Sequence, residues 1–155
     1  MVSTSSIRPA QSTDSCDLAK LRTLLWPDTK IDEHLIELHE IFLKGTNSTL
    51  PMTILVAHDE NNALLGFIEV AMRSHADGCN PTRPVGFVEG WFVRESFRKQ
   101  GIGRKLMGAA EEWARSQGCV EMASDALIEN QESEAAHKAL SFEIVDRCVH
   151  FRKAL

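Results

Sequence analysis

The spacing of apolar side chains divides the chain into alternating helices and strands. Apolar residues three and four positions apart indicate an early helix with Ile31, Leu35 and Leu38 on one face. Apolar runs bounded by polar turns are typical of strands. In chain order, the pattern predicts a strand at 7–10, helices around 18–25 and 31–42, strands at 52–58, 64–73 and 85–93, a helix opening at 102, a strand at 119–124, a helix at 133–140 and a strand at 142–151. This order predicts an α+β fold with a mixed sheet.

The composition supports one compact domain. The chain has 155 residues, of which 43% are hydrophobic and 25% are charged, close to the average of globular proteins. We therefore expect residues 1–155 to form a single domain. The net charge of −5 argues against a general nucleic-acid binder, because binding to phosphates requires a basic surface.

The sequence also indicates a cellular compartment. No apolar run approaches the length of a membrane span, and the first six residues lack the charged start and apolar stretch of a signal peptide. The four cysteines, Cys16, Cys79, Cys119 and Cys148, are dispersed, which favours buried free thiols over disulfides or a zinc site. We expect a cytoplasmic protein that binds no membrane.

A glycine turn joins the strand at Val85–Val93 to the following helix. Gly101 and Gly103 remove side chains where an anion could approach the backbone, and the N–H groups of a helix N-terminus are free to bind it. An ordinary strand-to-helix connection is the alternative. A Walker A loop and a dinucleotide-binding fingerprint are excluded, since the spacing and the third glycine that they require are absent. The cationic residues around the turn are Arg98, Lys99, Arg104 and Lys105.

This turn resembles the Gln/Arg-x-x-Gly-x-Gly/Ala loop of the GCN5-related N-acetyltransferases (GNAT), and the order of elements and the length also agree with that family. The resemblance implies a single domain with a mostly antiparallel mixed sheet flanked by helices. It also implies a loop whose amides hold the pyrophosphate of the cosubstrate acetyl-CoA, and a preceding strand that hydrogen-bonds the pantetheine arm. The implied cofactor contacts are Trp91, Phe92, Val93, Arg98, Lys99, Gln100, Gly101, Ile102, Gly103, Arg104 and Asn130.

Several further segments are similar to the aminoglycoside 6'-N-acetyltransferases of the resistance type. The similarity lies in residues 25–27, 84–90, 121–125, 137 and 139–143. It implies transfer of an acetyl group to the 6'-amine of kanamycin- and tobramycin-like drugs by direct attack in a ternary complex. It further implies a homodimer, packing of Trp26 on the sugar and a place for His75 in the substrate loop.

Three acidic residues lie in or directly after predicted strands: Glu89, Asp125 and Asp146. Because burial of an unpaired carboxylate is costly, Glu89 must be paired or face a cleft. The alternatives to a binding role are a salt bridge from Glu89 to Arg73, a capping role for Asp125 and a solvated position for Asp146. If the acids converge, they form an electronegative cleft that attracts a cationic amine. The resemblance implies that all three contact the aminoglycoside.

Acetyl transfer from a thioester needs a neutral amine and assistance for the departing thiolate. Asp125 or Glu89 could accept the amine's proton, and backbone N–H groups of residues 91–93 could stabilise the oxyanion. Many relatives place a tyrosine on the last helix as the acid, but this chain has no tyrosine and has His137 at that position. His137 is a candidate proton donor, because histidine changes protonation near neutral pH. Packing against the cofactor, or exposure to solvent, is the alternative.

The remaining histidines do not suggest a metal site. His34 and His39 are five positions apart, unlike the pair on a zinc-binding helix, and we predict no metal. Two other functions fit the same loop: an N-acetyltransferase for a polyamine, amino sugar or protein amine, and a non-catalytic acyl-CoA sensor. The acidic residues favour a cationic acceptor over a sensor.

Overall fold

A five-stranded sheet forms the centre of the structure, a computed structural model that describes residues 4–46 and 49–155. In spatial order, its strands are β1 (Ser6–Pro9), β2 (Met52–His58), β3 (Leu64–Arg73), β4 (Val85–Val93) and β5 (Met122–Ser124). The first four strands pair in antiparallel fashion, and β4 and β5 pair in parallel. The predicted mixed, mostly antiparallel sheet is confirmed.

Helices cover both faces of the sheet. They are α1 (Ser15–Leu25), α2 (Ile31–Lys44), α3 (Ile102–Ser116) and α4 (Gln131–Lys138). On one face, α1 and α2 pack around the fully buried Phe67 of β3, and on the other face Leu106 of α3 lies in one core with Ile68 of β3. Because successive side chains of a strand point to opposite faces, β3 contributes to both cores. Burial on both faces explains why β3 is an almost unbroken apolar run.

A β-bulge interrupts β4 in its middle. Glu69 pairs with Gly90, but the next residue of β3 pairs with Val88, so Glu89 is an extra residue without a partner on β3. The parallel pairing with β5 ends at the same level, where Val88 lies beside Ser124. From Glu89 onward, β4 therefore pairs with β3 alone among the described strands, and no described strand lies on its β5 side, which we call the open edge.

The predicted last strand at 142–151 is wrong. The chain from 142 to 155 forms no strand, although it contains several apolar residues. A strand needs a neighbouring edge for its backbone hydrogen bonds, and this segment pairs with none of the strands described above. The predicted strand at 119–124 is also shorter in the structure, because only its last three residues form β5. The exposed apolar residues of the C-terminal segment are Ile144, Val145, Val149, Phe151 and Leu155.

All four cysteines are free thiols, but they differ in exposure. Cys119 is buried and Cys79 is half-buried, whereas Cys16 and Cys148 are exposed. The expectation of buried thiols is therefore wrong for Cys16 and Cys148, which lie on the first turn of α1 and in the C-terminal segment. Within the described ranges, every helix is too short or too polar to cross a membrane. Residues 1–3, part of the N-terminal segment considered above, lie outside those ranges.

Candidate active site

The turn between β4 and α3 has the conformation that an anion-binding backbone requires. Gly101 precedes the first residue of α3 with a φ of +83°, which favours glycine, and no described atom lies within 4 Å of a Cβ built there. The first N–H groups of α3 have no acceptor within the helix, and the helix dipole adds partial positive charge. Ile102 is only 3% exposed, so its side chain belongs to the core and is not offered to a ligand.

Arg98 and Gln100 fasten this turn to its surroundings. Nε of Arg98 donates to the carbonyl of Val93 at 2.9 Å, and its Nη1 pairs with Glu132 on α4 at 3.3 Å. Nε2 of Gln100 donates to the carbonyl of Ser96 at 3.2 Å. Both side chains hold the turn in place, and the backbone N–H groups of the turn are left as the candidate anion site.

Of the other three cationic residues, one lies beside the turn and two form hydrogen bonds with more distant parts of the chain. Lys99 is exposed beside the turn with a φ of +60°. Arg104 donates to the carbonyl of Ala139, just after α4, at 3.3 Å. Nζ of Lys105 donates to the carbonyl of Ser5, just before β1, at 3.1 Å. Lys105, expected around the turn, therefore extends toward the far edge of the sheet instead.

A cleft of ≈ 660 Å³ opens beside the turn. Leu24 and Phe92 form its apolar part, and its charged part contains two cations and one anion, Arg94, Arg98 and Glu95. The apolar part could take the apolar arm of a ligand, and the two cations could contact an anionic group of it. Asn130 lies at the N-terminus of α4, where its Oδ1 accepts from the N–H of Ser133 at 3.0 Å. The oxygen of Asn130 thus caps a helix, and its amide nitrogen is the group left for a cofactor contact.

Trp91 fills the space under the glycine turn. A Cβ on Gly103 would lie 3.1 Å from the indole ring, so a larger residue there would press on Trp91. Nε1 of Trp91 is buried without a hydrogen-bond partner among the described residues. A buried donor without an acceptor is destabilising, and a bound ligand could supply the missing acceptor.

His137 on α4 is hydrogen-bonded through both ring nitrogens. Nδ1 lies 2.7 Å from the carbonyl oxygen of Ser133, and Nε2 lies 2.8 Å from Oγ of Ser124 on β5. A carbonyl oxygen only accepts, so Nδ1 carries a proton and the neutral ring accepts at Nε2 from the Ser124 hydroxyl. The ring also packs edge-on against Trp91 and Phe142, with centroids 5.3 and 5.2 Å apart. His137 therefore joins α4 to both strands that border the open edge.

The structure places two of the three predicted acids at the same point. Glu89 is the bulge residue, and Asp125 directly follows Ser124, where the pairing of β4 and β5 ends. Both oxygens of Glu89 accept from Arg73, at 2.9 and 2.7 Å, so the predicted alternative of a salt bridge is present. The carboxylate of Asp125 is exposed. The two acids thus flank the start of the open edge of β4.

Asp146 is not brought to these acids by any contact among the described residues. It is exposed in the C-terminal segment, where its Oδ1 accepts from the N–H of Arg147 at 2.7 Å. The neighbouring Val145 approaches Gly78 in the loop after β3, since a Cβ on Gly78 would lie 2.6 Å from it. The register brings the backbones of Glu89 and Asp125 to the same level of the sheet, and the convergence of the three carboxylates stays a prediction.

Trp26 and His75 lie on opposite sides of the bulge. Trp26 follows α1, and its ring lies against β4 so closely that a Cβ on Gly90 would be 2.5 Å away. It is half-buried and can present one part of the ring to a ligand. His75 is exposed in the loop after β3, with Nδ1 at 3.0 Å from Oγ of Ser74.

Three residues of this region were missed in the sequence. Ser124 has no sequence signal, because its contact with His137 depends on how α4 packs. Arg22 and Glu69 form a buried ion pair beneath Trp26. Glu69 does have a signal, since it is a carboxylate inside an apolar strand, the same feature that singled out Glu89. In the part of the chain that the structure describes, no group of three or more His, Cys, Asp or Glu residues could hold a metal ion.

Sequence comparisons agree with this geometry. The acetyltransferase (GNAT) family model matches residues 17–142. The chain is 41% identical to the aminoglycoside N(6')-acetyltransferase type 1 of Klebsiella aerogenes, over the full length of both proteins. It is 36% identical to the protein of the same name from Stenotrophomonas maltophilia, over all of this chain and 97% of that relative.

Solved structures give the same result. The fold matches AAC(6')-Iy in complex with the bisubstrate analogue CoA-S-monomethyl-acetylneamine, with a TM-score of 0.88 and 34% identity over 99% of this chain and 100% of the other. It also matches the aminoglycoside 6'-N-acetyltransferase AAC(6')-Ih from Acinetobacter baumannii, with a TM-score of 0.86 and 34% identity over 98% and 99% of the two chains. The chain belongs to the acetyltransferase (GNAT) family, and its full-length relatives are named aminoglycoside N(6')-acetyltransferases.

Proposed function

We propose that residues 1–155 form one acetyltransferase domain that transfers an acetyl group from acetyl-CoA to the 6'-amine of aminoglycosides. The observation that carries the proposal is the position of Glu89 and Asp125 at the start of the open edge of β4, the strand whose other end leads into the candidate anion-binding turn at Gly101. A cationic amine and an anionic cosubstrate would thus meet at one edge. Relatives named for this activity align over the whole chain.

The residues of the open edge fit acetyl-CoA. The N–H groups at the start of α3 would hold its pyrophosphate, and those amides of residues 91–93 that point away from β3 would bind its pantetheine arm. The unpaired Nε1 of Trp91 supplies a further donor. Acetyl-CoA supplies an activated acyl group whose carbonyl the same free amides can polarise.

Asp125 is the better candidate for the base that takes the proton of the acceptor ammonium. Glu89 is held by a forked pair of hydrogen bonds from Arg73, so both of its oxygens are already engaged. The carboxylate of Asp125 has no hydrogen bond or ion pair with the described residues and lies at the same level of the sheet. Glu89 then attracts the cationic acceptor together with Trp26, and Asp125 receives the proton.

The pair of Ser124 and His137 is suited to assist the departing thiolate. The hydroxyl of Ser124 lies on β5 at the end of its pairing with β4, and His137 holds it at 2.8 Å. When His137 also carries a proton on Nε2, that proton can pass to Oγ of Ser124 while the hydroxyl proton of Ser124 passes to the thiolate. One proton then moves from the imidazolium to the thiol, the ring is left neutral, and His137 acts through Ser124 in place of the tyrosine of many relatives. We place the reaction in the cytoplasm, which the four free thiols support.

Release of the CoA thiol with different acceptors tests this function. Kanamycin and tobramycin are expected to release thiol from acetyl-CoA, and spermidine, a polyamine without the sugar that Trp26 would contact, is expected to react far more slowly. The position of the acetyl group on the product is determined by NMR. Turnover of spermidine without turnover of either drug would refute the aminoglycoside assignment, and acetylation at another amine would refute the 6' position.

We also propose a homodimer that forms through the C-terminal segment. Val149 is 75% and Phe151 is 93% exposed, and β5 has a free edge at the end of the sheet. An unpaired strand edge and an apolar segment without a partner each favour association. Pairing of this segment with β5 of a second copy covers both features at once.

Light scattering measures the mass in solution and tests the dimer. The wild-type protein is expected to have the mass of two copies, and the double substitution Val149→Lys/Phe151→Lys is expected to give a monomer, because it places charges in the interface. Ile36→Lys/Leu43→Lys is the matched control, since these α2 residues are 67% and 68% exposed but far from β5. A monomeric wild-type protein, or dissociation of the control alone, would contradict the proposed interface.

A further inference from the structure

A buried charge network lies beneath Trp26, on the face of the sheet covered by α1 and α2. Arg22 on α1 is 4% exposed and Glu69 on β3 is 2% exposed. Nε of Arg22 lies 2.8 Å from Oε1 of Glu69, and its Nη2 donates to Oε2 of Glu37 on α2 at 2.9 Å. Its Nη1 reaches the carbonyl of His34 at 3.4 Å. One guanidinium thus joins α1, α2 and β3.

The same guanidinium supports Trp26. Its central carbon lies 5.1 Å from the centroid of the Trp26 ring, within the range of a cation–π contact. The rings of His34 and Phe67 lie 6.1 and 6.2 Å from Trp26. On its remaining side, the ring lies against Gly90, which is the residue paired with Glu69. The position of Trp26 is therefore set by Arg22, and the position of Arg22 is set by Glu69.

A buried ion pair is not explained by stability alone. Replacement of such pairs by apolar residues of similar volume is often neutral or stabilising, because removal of both charges from water is costly. Arg22 and Glu69 lie next to the bulge at Glu89, where β4 turns from a core strand into the edge of the site. An ion pair at this place has a better explanation in the geometry of the site than in the stability of the core.

We propose that Arg22 and Glu69 are positioning residues for the aminoglycoside, which hold Trp26 against Gly90 beside Glu89 and thereby set the wall of the acceptor site. They touch neither the acceptor nor the reacting atoms. The inference rests on the proposed function, since it assigns to that acceptor the surface that Trp26 presents. It assigns no contact with the phosphates of acetyl-CoA, because α3, which follows the glycine turn, packs on the other face of the sheet.

The test replaces the Arg22–Glu69 ion pair by apolar residues and compares the result with the same replacement of the Arg8–Asp14 ion pair. The variant Arg22→Met/Glu69→Leu removes both charges at similar volume, so it is expected to fold, as checked by its melting temperature. We expect its KM for kanamycin to rise about tenfold or more, and its KM for acetyl-CoA to stay within about twofold. The control is Arg8→Met/Asp14→Leu, which removes an ion pair of 2.7 Å at the β1 edge of the sheet. We expect neither KM to change in the control.

The dependence on pH gives a second readout. Burial raises the pKa of Glu69 to about 7, against the opposing charge of Arg22, and the carboxylates of Glu37 and Glu89 raise it further. His34 also faces this network from α2, and the residue opposite Glu69 on β2 is the uncharged Ile54. Protonation of the Glu69 carboxylate weakens its ion pair with Arg22. At low pH, the KM of the wild-type protein for kanamycin should therefore approach that of the Glu69→Gln variant. The ratio of their KM values for kanamycin is expected to be near one at about pH 6 and to increase by about pH 8. The ionisation of the drug cancels in this ratio.

The possible results separate this inference from the proposed function. A folded Arg22→Met/Glu69→Leu variant with the wild-type KM for kanamycin would overturn it, and so would an equal rise of both KM values. If that variant does not fold, Arg22→Lys is judged by the same two KM values, because lysine keeps the charge but loses the forked contact with both carboxylates. A wild-type protein that neither binds nor acetylates kanamycin refutes the proposed function, and this inference with it.

Discussion

Asp125→Ala is expected to lower kcat/KM for kanamycin about 100-fold, within the usual range for loss of a general base. Asp125 follows β5 at the level where β4 loses its second neighbour, so its carboxylate lies at the start of the open edge. Glu89 lies beside it but is engaged by Arg73 through both oxygens. With Asp125 removed, water must take the proton from the ammonium, and the loss should appear mainly in kcat. Steady-state kinetics at saturating acetyl-CoA measure this effect.

The pH dependence separates a base from an electrostatic attractor. As the pH rises, more of the acceptor amine is already neutral, so the deficit of Asp125→Asn should shrink if the carboxylate acts as a base. If the carboxylate only attracts the cation, the loss appears in KM instead. Glu112→Ala is the matched control, because it removes the same charge from an exposed position on α3. A similar loss in Glu112→Ala would contradict the assignment of Asp125.

The sequence was sufficient to predict a helix or strand where the structure of that segment depends on its own residues. The strands β2, β3 and β4 are apolar runs closed by polar turns, and α3 has an apolar stripe that packs on one core. Such patterns determine an element before its neighbours are known. The segment at 142–151 fails this condition, because a strand also requires an edge to pair with. Its apolar residues are consistent with a strand, but in the structure the segment pairs with neither edge of the sheet.

The same distinction holds for the candidate site: its local features were predictable from the sequence, and its long-range contacts were not. The glycine turn is local in sequence, and its positive φ at Gly101 follows from the glycine itself. Glu89 was visible as a carboxylate in an apolar strand, but the bulge that moves it out of register is visible only in the pairing with β3. The contact of Ser124 with His137 and the network under Trp26 each join distant parts of the chain. No spacing along the sequence indicates such contacts.

Gly101→Asp is expected to raise the KM for acetyl-CoA by about 10- to 100-fold. A carboxylate at this position would lie at the N-terminus of α3, where the pyrophosphate is proposed to bind. Repulsion between like charges a few ångströms apart amounts to about 1–4 kcal/mol near a protein surface, and a factor of ten in affinity corresponds to about 1.4 kcal/mol. The KM for kanamycin should change little, because Trp26 and Glu89 lie on the other side of the open edge. Initial rates with each substrate varied in turn measure both constants.

Two controls separate charge from backbone strain. In Gly101→Asn, the side chain has the shape of aspartate and takes the same left-handed φ of +83°, but it carries no charge. The difference in KM for acetyl-CoA between the two variants therefore isolates the electrostatic repulsion. Gly118→Asp places the same side chain at a φ of +86° beyond the other end of α3, again with no described atom within 4 Å of its Cβ. It should lower the melting temperature without changing the KM for acetyl-CoA. If Gly101→Asn and Gly101→Asp raise that KM equally, the turn matters through its shape alone and does not face the phosphates. An unchanged KM in Gly101→Asp would remove the glycine turn from the binding site altogether.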